Sequence, residues 1–186
     1  MHKPITFAKV MTTATLVSFT ATVTLALLYF VHRQSWLLSA LISTFTTFYH
    51  FAMRMLVGSV IPRFMKNPMK YRWFQPKSFE QKLYQILKVK HWKDRMPTYD
   101  PASFSLRENT MQQIVENCCI SEMVHEVIIL FSFVPLVFTL WWGAFPVFLI
   151  TSLLAAAFDG CFVIMQRYNR PRLLRILSKK EAKAHE

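Results

Sequence analysis

Five ionisable side chains that could take part in catalysis lie inside apolar stretches of the chain: His50, Glu122, His125, Glu126 and Asp159. Glu122, His125 and Glu126 follow one another at spacings of three and four residues, so on a helix they share one face. A carboxylate beside a histidine fixes the imidazole tautomer and stabilises the imidazolium, which favours general base catalysis. The pattern therefore predicts His125 as the catalytic base, assisted by Glu122 and Glu126. His50 is the second candidate for the base, and Asp159 is predicted to join the same site.

Six cationic side chains are predicted to bind a substrate that carries phosphate: Arg54, Lys90, Lys93, Arg167, Arg170 and Arg172. Three of them belong to the sequence QRYNRPR, Gln166–Arg172, which directly follows a long apolar run. Arginine and lysine form charge-assisted hydrogen bonds with phosphate oxygens, so acyl-CoA or an acyl phosphate is the predicted co-substrate. Pro171 is poorly placed inside a helix and is predicted to end it, which would put the arginines at the mouth of a cavity.

Other chemistries are not favoured by the residue pattern. The three cysteines, Cys118, Cys119 and Cys161, form no C-x-x-C pair, which argues against a zinc or redox site. The sequence has no G-x-S-x-G motif, so direct transfer is favoured over a covalent acyl-enzyme. Glu122 and His125 have the E-x-x-H spacing of di-iron bundles, but such a bundle needs a second copy and the sequence has one. We therefore predict no bound metal and no bound cofactor.

The composition indicates a single integral membrane domain, residues 1–186. The chain is 53% hydrophobic and 15% aromatic, with 3 glycines. Four apolar stretches, about 10–31, 36–61, 122–142 and 145–166, are long enough to span, since roughly 20 helical residues cross a hydrocarbon core. Only helices and closed barrels satisfy their backbone hydrogen bonds in lipid. The predicted fold class is therefore all-α, with four transmembrane helices as two hairpins and a basic cytoplasmic interfacial helical segment between them.

Basic residues concentrate in that segment, residues 62–121, which holds eleven Lys and Arg, and in the tail from residue 167, which holds seven. The positive-inside rule then predicts a multi-pass cell membrane protein with both termini in the cytoplasm. The formal net charge of +12 indicates anionic lipid headgroups or a phosphate-bearing substrate as partners, and no nucleic acid. Ser78 and Gln81 match a capping box and predict an amphipathic helix, either on the membrane surface or packed on a small cytoplasmic cap. A further helix is predicted from about Leu106 into the third span.

The spacing along the spans predicts that the polar residues lie at one depth. Glu126 precedes Gly143, the predicted outer turn, by 17 residues, and Asp159 follows it by 16. At about 1.5 Å per residue, both lie roughly 24–26 Å from that turn. His50 and Arg54 are predicted to reach the same layer from the second span. Because a buried charge needs a partner, we predict one shared cavity that faces the cytoplasm.

Three blocks of the sequence resemble a known family. The blocks are FEQKLYQILKVKHWKDRMP, SEMVHE and QRYNRPRLLRIL, and they extend over roughly residues 73–180. They resemble the glycosyl-diaponeurosporenoate acyltransferases of the staphyloxanthin carotenoid pathway and their bacterial relatives. The first predicted hairpin matches this family weakly.

The resemblance implies a small membrane enzyme that esterifies a sugar hydroxyl of a glycolipid with a fatty acyl group. Its implied partners are the glycolipid acceptor, the acyl donor and the surrounding membrane lipids. The positions that it carries over are Lys90, Trp92, Lys93, Glu122, His125, Gln166, Arg167, Tyr168, Asn169, Arg170 and Arg172. Among these, Trp92, Gln166, Tyr168 and Asn169 are predicted to position the substrates. The roles of His50, Arg54 and Asp159 come from the residues alone.

A structural explanation of the same residues stays open. His50 could be a hydrogen-bonded interhelical histidine, Arg54 could pair with Asp159, and the arginines of QRYNRPR could be ordinary anchors at the membrane boundary. The protein would then be a non-catalytic membrane scaffold or a lipid-binding subunit whose polar layer packs its helices. A different membrane-embedded transferase or reductase is a third alternative. The sequence leaves the oligomeric state open, with a homo-oligomer among the alternatives.

Overall fold

The structure, a computed structural model, describes the backbone of residues 7–184 and the side chains of residues 7–179 and 182. All regular structure in these residues is helical, so the all-α prediction is confirmed. The α-helices are α1 Phe7–His32, α2 Ser35–Phe64, α3 Glu80–Ile86, α4 Val89–Trp92, α5 Met111–Phe131, α6 Thr139–Trp142 and α7 Phe145–Ala184. Short 3-10 helices lie at Pro68–Lys70, Arg72–Phe74, Lys93–Arg95, Ala102–Phe104 and Val134–Phe138.

The described chain divides into two compact units. The first comprises residues 7–59 and 128–157, and it contains His50 and Arg54. The second comprises residues 60–127 and 158–184, and it contains the basic segment together with His125 and Asp159. The chemistry that the sequence predicts for His125 therefore depends on the second unit.

Three helical stretches among the described residues are long and apolar enough to cross a membrane: Phe7–His32, Met111–Trp142 and Phe145–Lys179. The prediction of four such spans is wrong. The second predicted span does form helix α2, but its serines and threonines, with His50 and Arg54, dilute the apolar side chains that a lipid-facing helix needs. The pairing of spans into hairpins and the cytoplasmic position of both termini stay predictions.

A proline interrupts the third predicted span within the first unit. Helix α5 ends at Phe131, and the 3-10 helix Val134–Phe138 follows around Pro135. Because Pro135 has no N–H, the Phe131 carbonyl four residues earlier loses its helical donor. The Tyr49 hydroxyl donates to that carbonyl at 2.8 Å. An unpaired carbonyl in an apolar layer is costly, so this hydrogen bond stabilises the interruption.

The predicted amphipathic helix of the basic segment is shorter than expected. Helix α3 has 7 residues, and its N-cap residue Phe79 makes no side-chain capping hydrogen bond. The prediction of a capping box at Ser78 and Gln81 is therefore wrong. Lys88 adopts a left-handed backbone conformation with φ of 48°, which separates α3 from the four-residue α4. The position of these helices on a membrane surface stays a prediction.

A reciprocal capping box occurs instead at the start of α5. The Thr110 backbone N–H donates to Gln113 Oε1 at 2.7 Å, and the Gln113 backbone N–H donates to Thr110 Oγ1 at 3.3 Å. Each side chain thereby satisfies one of the backbone donors that a helix start leaves unpaired. Helix α5 therefore begins at Met111, and the predicted start near Leu106 is wrong.

Helix α7 continues through Pro171 for a total of 40 residues. The prediction that Pro171 ends the last span is therefore wrong. A proline inside a helix removes the hydrogen bond to the carbonyl four residues earlier, here that of Arg167. The side chains of Arg167 and Arg170 form ion pairs in the turn that precedes the proline. These ion pairs fix the turn before Pro171 to Glu80 and Glu122.

Candidate functional site

His125 of α5 and Asp159 of α7 form a histidine–aspartate pair in the second unit. His125 Nδ1 lies 2.8 Å from Asp159 Oδ1. The ring of Phe162, one turn after Asp159, stacks on the imidazole with centroids 4.5 Å apart and an interplanar angle of 6°. One contact in the ring plane and one on the ring face thus define the orientation of the imidazole.

The histidine–aspartate pair has a geometry that suits general base catalysis. A carboxylate accepts hydrogen bonds, so the Nδ1 atom that faces Asp159 carries the proton and Nε2 presents its lone pair. Asp159 is 1% exposed, whereas the His125 side chain is 20% exposed. The imidazole can therefore take a proton from a bound molecule while the carboxylate is shielded from solvent.

The carboxylate that contacts His125 is Asp159, and not Glu122 or Glu126 as the helix-face pattern predicts. Glu122 is fully buried, and its carboxylate is bound by two arginines. Glu126 accepts a hydrogen bond from Trp73 Nε1 at 2.8 Å. A shared helix face places side chains on one side of α5, but the facing elements decide which partner comes closest.

Two arginines and two glutamates form a buried arginine–glutamate cluster: Glu80, Glu122, Arg167 and Arg170. Arg167 Nε lies 3.0 Å from Glu80 Oε1, and Arg167 Nη1 lies 3.3 Å from Glu122 Oε1. Arg170 Nη1 donates to Glu122 Oε2. Two guanidinium groups and two carboxylates balance in charge, which meets the requirement that buried charges be paired.

The arginines of this cluster also bind the turn Arg72–Phe74. Arg167 Nη2 donates to the Trp73 carbonyl at 2.9 Å, and Arg170 Nη2 donates to the Phe74 carbonyl. Backbone carbonyls that lie away from solvent need such partners. The cluster thus joins α3, α5, α7 and this turn, which is a structural role.

The sequence predicts the arginines of QRYNRPR together at the mouth of a cavity. In the structure they do not lie together there. Arg170 is 2% exposed, and the Arg167 side chain is 13% exposed. The uninterrupted helix directs both residues toward Glu122, because they lie three positions apart on one face. Arg172 is exposed, and its guanidinium carbon lies 4.0 Å from the centroid of the Tyr168 ring.

Residues 70–179 match the model of one protein family, CrtO, which is described as glycosyl-4,4'-diaponeurosporenoate acyltransferase. The match covers more than half of the chain. The chain belongs to this family. The resemblance that three sequence blocks indicate is therefore confirmed, and the matched region contains the whole histidine–aspartate pair and the whole arginine–glutamate cluster. No curated protein and no solved structure matches the chain.

The acyltransferase family block around α4 contains one structural contact and two cations. Trp92 Nε1 donates to the Leu87 carbonyl at 2.9 Å, which closes the end of α3. Lys93 Nζ lies 2.5 Å from Asp94 Oδ1, so this ammonium already has a carboxylate partner. Lys90 is exposed and is the better placed of the two lysines for an external anion.

The remaining positions of the family block on α7 lie around the cluster. Gln166 is buried, and its Nε2 donates to Ser121 Oγ on α5 at 3.2 Å. Tyr168 is also buried, and Asn169 is partly exposed. Gln166 and Tyr168 therefore contribute to packing between helices, and their predicted roles in positioning substrates stay predictions.

His50 and Arg54 lie on α2 in the first unit. His50 is buried, and Arg54 Nη1 donates to the His50 carbonyl at 2.8 Å. Arg54 Nη2 donates to the Ala155 carbonyl at 3.4 Å. The predicted convergence of these two residues with His125 stays a prediction, as do their roles in catalysis and donor binding.

Possible metal ligands are dispersed in the described part of the chain. The side chains that the structure describes, those of residues 7–179 and 182, contain no group of three His, Cys, Asp or Glu that could hold a metal ion. Cys118 and Cys119 are buried in α5 with free thiols, and Cys161 is partly buried in α7.

Glu80 is the cluster member that sequence reasoning missed. It is the one acidic residue between positions 62 and 93, in a stretch rich in lysine and arginine. A lone acid among many cations is a signal for an ion pair, because several possible partners lie close to it in the sequence. The sequence has no signal that the carbonyl groups of Trp73 and Phe74 bind the arginines of the cluster, since every residue has a carbonyl.

Tyr84 supports the cluster from α3. Its hydroxyl donates to Glu80 Oε2 at 3.0 Å, and its ring meets the Tyr168 ring edge-on with centroids 5.3 Å apart. Burial, followed by the charge of the Glu80 carboxylate, raises the pKa of the Tyr84 phenol above its usual value. The phenol is therefore a protonated donor under all ordinary conditions.

Replacing Tyr84 with phenylalanine is expected to lower the free energy of unfolding by about 1–2 kcal/mol, because it removes a hydrogen bond to a charged group. An unfolded phenol titrates at about pH 10. The stabilisation is complete below that pH and is lost as the pH rises through the higher folded-state pKa. The difference in melting temperature between wild type and variant should therefore narrow above about pH 10, measured on the full chain in detergent micelles.

Tyr71→Phe is the matched control, since Tyr71 is exposed. This control should melt like the wild type at every pH. A Tyr84→Phe difference that stays constant from about pH 8 to the end of the alkaline range would contradict the coupling between Tyr84 and Glu80.

Proposed function

We propose that the chain is a membrane-embedded O-acyltransferase that moves a fatty acyl group onto a sugar hydroxyl of a glycolipid. The observation that carries this proposal is the histidine–aspartate pair, with His125 Nδ1 at 2.8 Å from Asp159 Oδ1. Membership of the CrtO family supports the same reaction class. The family description names a glycosylated carotenoid acid, so a glycosylated carotenoid is the first acceptor to consider.

In the proposed reaction His125 is the general base. Its Nε2 takes the proton of the sugar hydroxyl while the hydroxyl oxygen attacks the acyl carbonyl carbon. Asp159 stabilises the imidazolium that forms and keeps the imidazole in the required tautomer. Phe162, stacked on the ring, prevents the imidazole from turning away from the substrate.

The reaction needs no covalent acyl-enzyme. A new ester bond forms between the sugar oxygen and the acyl carbon, and the bond from that carbon to the leaving group of the donor breaks. With a thioester donor, the departing thiolate takes the proton from His125 Nε2, so the products are the ester and a free thiol. The histidine is then neutral again and ready for the next hydroxyl.

We further propose that transfer occurs at the cytoplasmic leaflet of the cell membrane. Three described stretches are apolar and long enough to span the bilayer, which supports a membrane location. The concentration of lysine and arginine in residues 62–121 supports a cytoplasmic position for this segment. The arginine–glutamate cluster then maintains the structure around the pair without contact to the reacting atoms.

The test is acyl transfer by the purified full-length protein in liposomes that contain a glycosylated lipid acceptor. Acyl-CoA and acyl phosphate are supplied in separate reactions, and the lipids are analysed by mass spectrometry. The expected result is a gain in acceptor mass equal to one acyl group with one of the two donors. Liposomes without protein are the control. The alternative of a non-catalytic scaffold predicts no mass gain with either donor, and that result would overturn the proposal.

A further inference from the structure

A basic cleft with a volume of about 850 Å³ lies beside α3, α4 and the C-terminal half of α7. Five cations line it: Lys77, Lys88, Lys90, Arg172 and Arg175. All five side chains are exposed. The volume falls within the roughly 300–1,000 Å³ that is typical of pockets for small ligands. The basic cleft therefore has both the size and the charge to receive an anionic molecule.

The positive charge of the basic cleft is not balanced by the carboxylate that lines it. Glu80 is that carboxylate, and its oxygens are occupied by Arg167 Nε and the Tyr84 hydroxyl, each at 3.0 Å. Within the described side chains, no ion pair joins any of the five cations to an acid. The basic cleft thus has an excess of positive charge, which suits a ligand with several negative charges.

We propose that the basic cleft binds the phosphates of an acyl-CoA donor. This inference rests on the proposed acyl transfer, and it narrows the donor to one chemical class. Coenzyme A carries a diphosphate and a separate 3′-phosphate on its ribose. Arginine and lysine bind such groups through charge-assisted hydrogen bonds, and several cations around one cleft can serve several phosphates.

The position of the basic cleft along α7 favours acyl-CoA over an acyl phosphate. Arg172 follows Asp159 by 13 residues on this helix, which corresponds to about 20 Å along its axis. In an acyl phosphate the phosphate is bonded directly to the reacting carbonyl carbon, so it would have to lie beside His125. In acyl-CoA the pantetheine arm separates the phosphates from the thioester, so a distant phosphate site is expected.

The Tyr168 ring orients the Arg172 side chain. Its guanidinium carbon lies 4.0 Å from the centroid of the Tyr168 ring. The Tyr168 ring is held in turn by the edge-on contact with Tyr84. A cation–π contact requires no hydrogen bond from the guanidinium, so the N–H groups of Arg172 stay available for phosphate oxygens.

The concave shape and the number of cations favour a nucleotide over other anions. An anionic lipid headgroup with a single phosphodiester would use few of the five cations. An acidic carrier protein would dock on an outer surface and insert one phosphate with its prosthetic arm. Both alternatives make distinct predictions in the experiments below.

The first experiment measures acyl transfer from acyl-CoA by full-length Lys90→Glu, Arg172→Glu and the double variant. Each single reversal is expected to raise the KM for acyl-CoA about tenfold, and the double variant on the order of 100-fold, because separate charge contacts add. The value of kcat should change little, since His125 and Asp159 are intact. Lys66→Glu is the matched control, because Lys66 is exposed and lies outside the basic cleft.

A truncated donor separates phosphate binding from catalysis. The acyl thioester of N-acetylcysteamine has the reacting carbon but no phosphate. Wild type and double variant are expected to use this donor with equal kcat/KM. An equal loss with the truncated donor and with acyl-CoA would mean that the substitutions disturb the site as a whole, and it would overturn the proposal.

Binding of coenzyme A itself tests the cleft even if no acyl transfer is found. Full-length His125→Ala protein is expected to bind coenzyme A with the wild-type Kd, and the double variant about 100-fold more weakly. Unchanged binding by the double variant would overturn the proposal. The proposal would also be overturned if the double variant bound vesicles of anionic phospholipid more weakly but bound coenzyme A like the wild type. Acyl transfer from an acyl carrier protein, with none from acyl-CoA, would overturn it as well.

Discussion

Replacing His125 with alanine is expected to lower kcat for acyl transfer by about 10²–10⁴-fold, the range for loss of a general base. The hydroxyl of the acceptor then has no group to receive its proton in the transition state. The KM for acyl-CoA should stay close to that of the wild type, because the cations of the basic cleft are unchanged. Initial rates of ester formation in liposomes, measured at several donor concentrations, separate the two quantities.

Asp159→Asn tests the orientation of the base by a second route. The asparagine amide can donate to His125 Nδ1, which favours the tautomer with its proton on Nε2. That tautomer cannot accept the hydroxyl proton, so kcat is expected to fall by at least about 10²-fold even though the imidazole is present. Loss of kcat in both variants, with KM for acyl-CoA unchanged, is what an oriented base requires.

His32→Ala is the matched histidine control, since His32 is exposed at the C-terminal end of α1. It should retain wild-type turnover. The melting temperature of each variant shows whether the fold is preserved. Wild-type rates from a folded His125→Ala protein would remove His125 from the mechanism.

Replacing Glu122 with glutamine is expected to lower the free energy of unfolding by about 3–5 kcal/mol, because it leaves a buried guanidinium without its carboxylate. Glu122 is 0% exposed, accepts a hydrogen bond from Arg170 and forms an ion pair with Arg167. A loss of this size shows as a large fall in melting temperature and in the yield of folded protein. Glu116→Gln on the same helix is the control, since the Glu116 carboxylate accepts a hydrogen bond from the side chain of Gln112. Substitution at such a position is expected to change the free energy of unfolding only slightly.

The double variant Glu122→Leu with Arg170→Met distinguishes a structural from a catalytic Glu122. Replacing a buried ion pair by apolar residues of similar volume is often neutral for stability, so this variant is expected to recover part of the loss. The recovery is incomplete because the Phe74 carbonyl loses its Arg170 donor. Acyl transfer should then recover with the fold. A Glu122→Gln protein that melts like the wild type but has no activity would instead restore the catalytic role that the E-x-x-H spacing indicates.

Sequence reasoning predicts Glu122 and Glu126 as the carboxylates that assist His125, but the carboxylate in contact with His125 is Asp159. Spacings of three and four residues show which side chains share a face of α5, and Glu122, His125 and Glu126 do share one. They do not show what faces that side of the helix. Asp159 reaches His125 from α7, and that contact depends on the rotation of two helices about their axes, which spacing in one helix cannot specify.

The two capping motifs illustrate a similar limit for helix boundaries. The sequences Ser78–Gln81 and Thr110–Gln113 both fit the capping-box pattern, yet the structure forms the second box and not the first. In the first case Glu80 forms a buried ion pair with Arg167. This ion pair favours a start of α3 at Glu80 with Phe79 as the N-cap residue, and not Ser78. Tertiary ion pairing thus overrides a local signal whose energy is of the order of 1 kcal/mol.

A membrane span could be predicted from the sequence only for helices whose apolar character is uniform along their length. The sequences of α1 and α7 are apolar over long windows, and both meet the requirement for a membrane span. Helix α2 is long enough but carries polar side chains throughout, so its length alone led to the wrong count. A helix with that composition needs protein neighbours for its polar groups, and such neighbours cannot be read from hydropathy.

The continuity of α7 through Pro171 makes the chain sensitive to a change in length. Asp159, Arg167, Arg170 and Arg172 all belong to one helix without a loop between them. Inserting a single alanine between Asp159 and Gln166 would turn everything after it by about 100° around the axis. Arg170 would then point away from Glu122, and Arg172 would point away from the lysines of the basic cleft. Both contacts would be lost although no side chain had been removed.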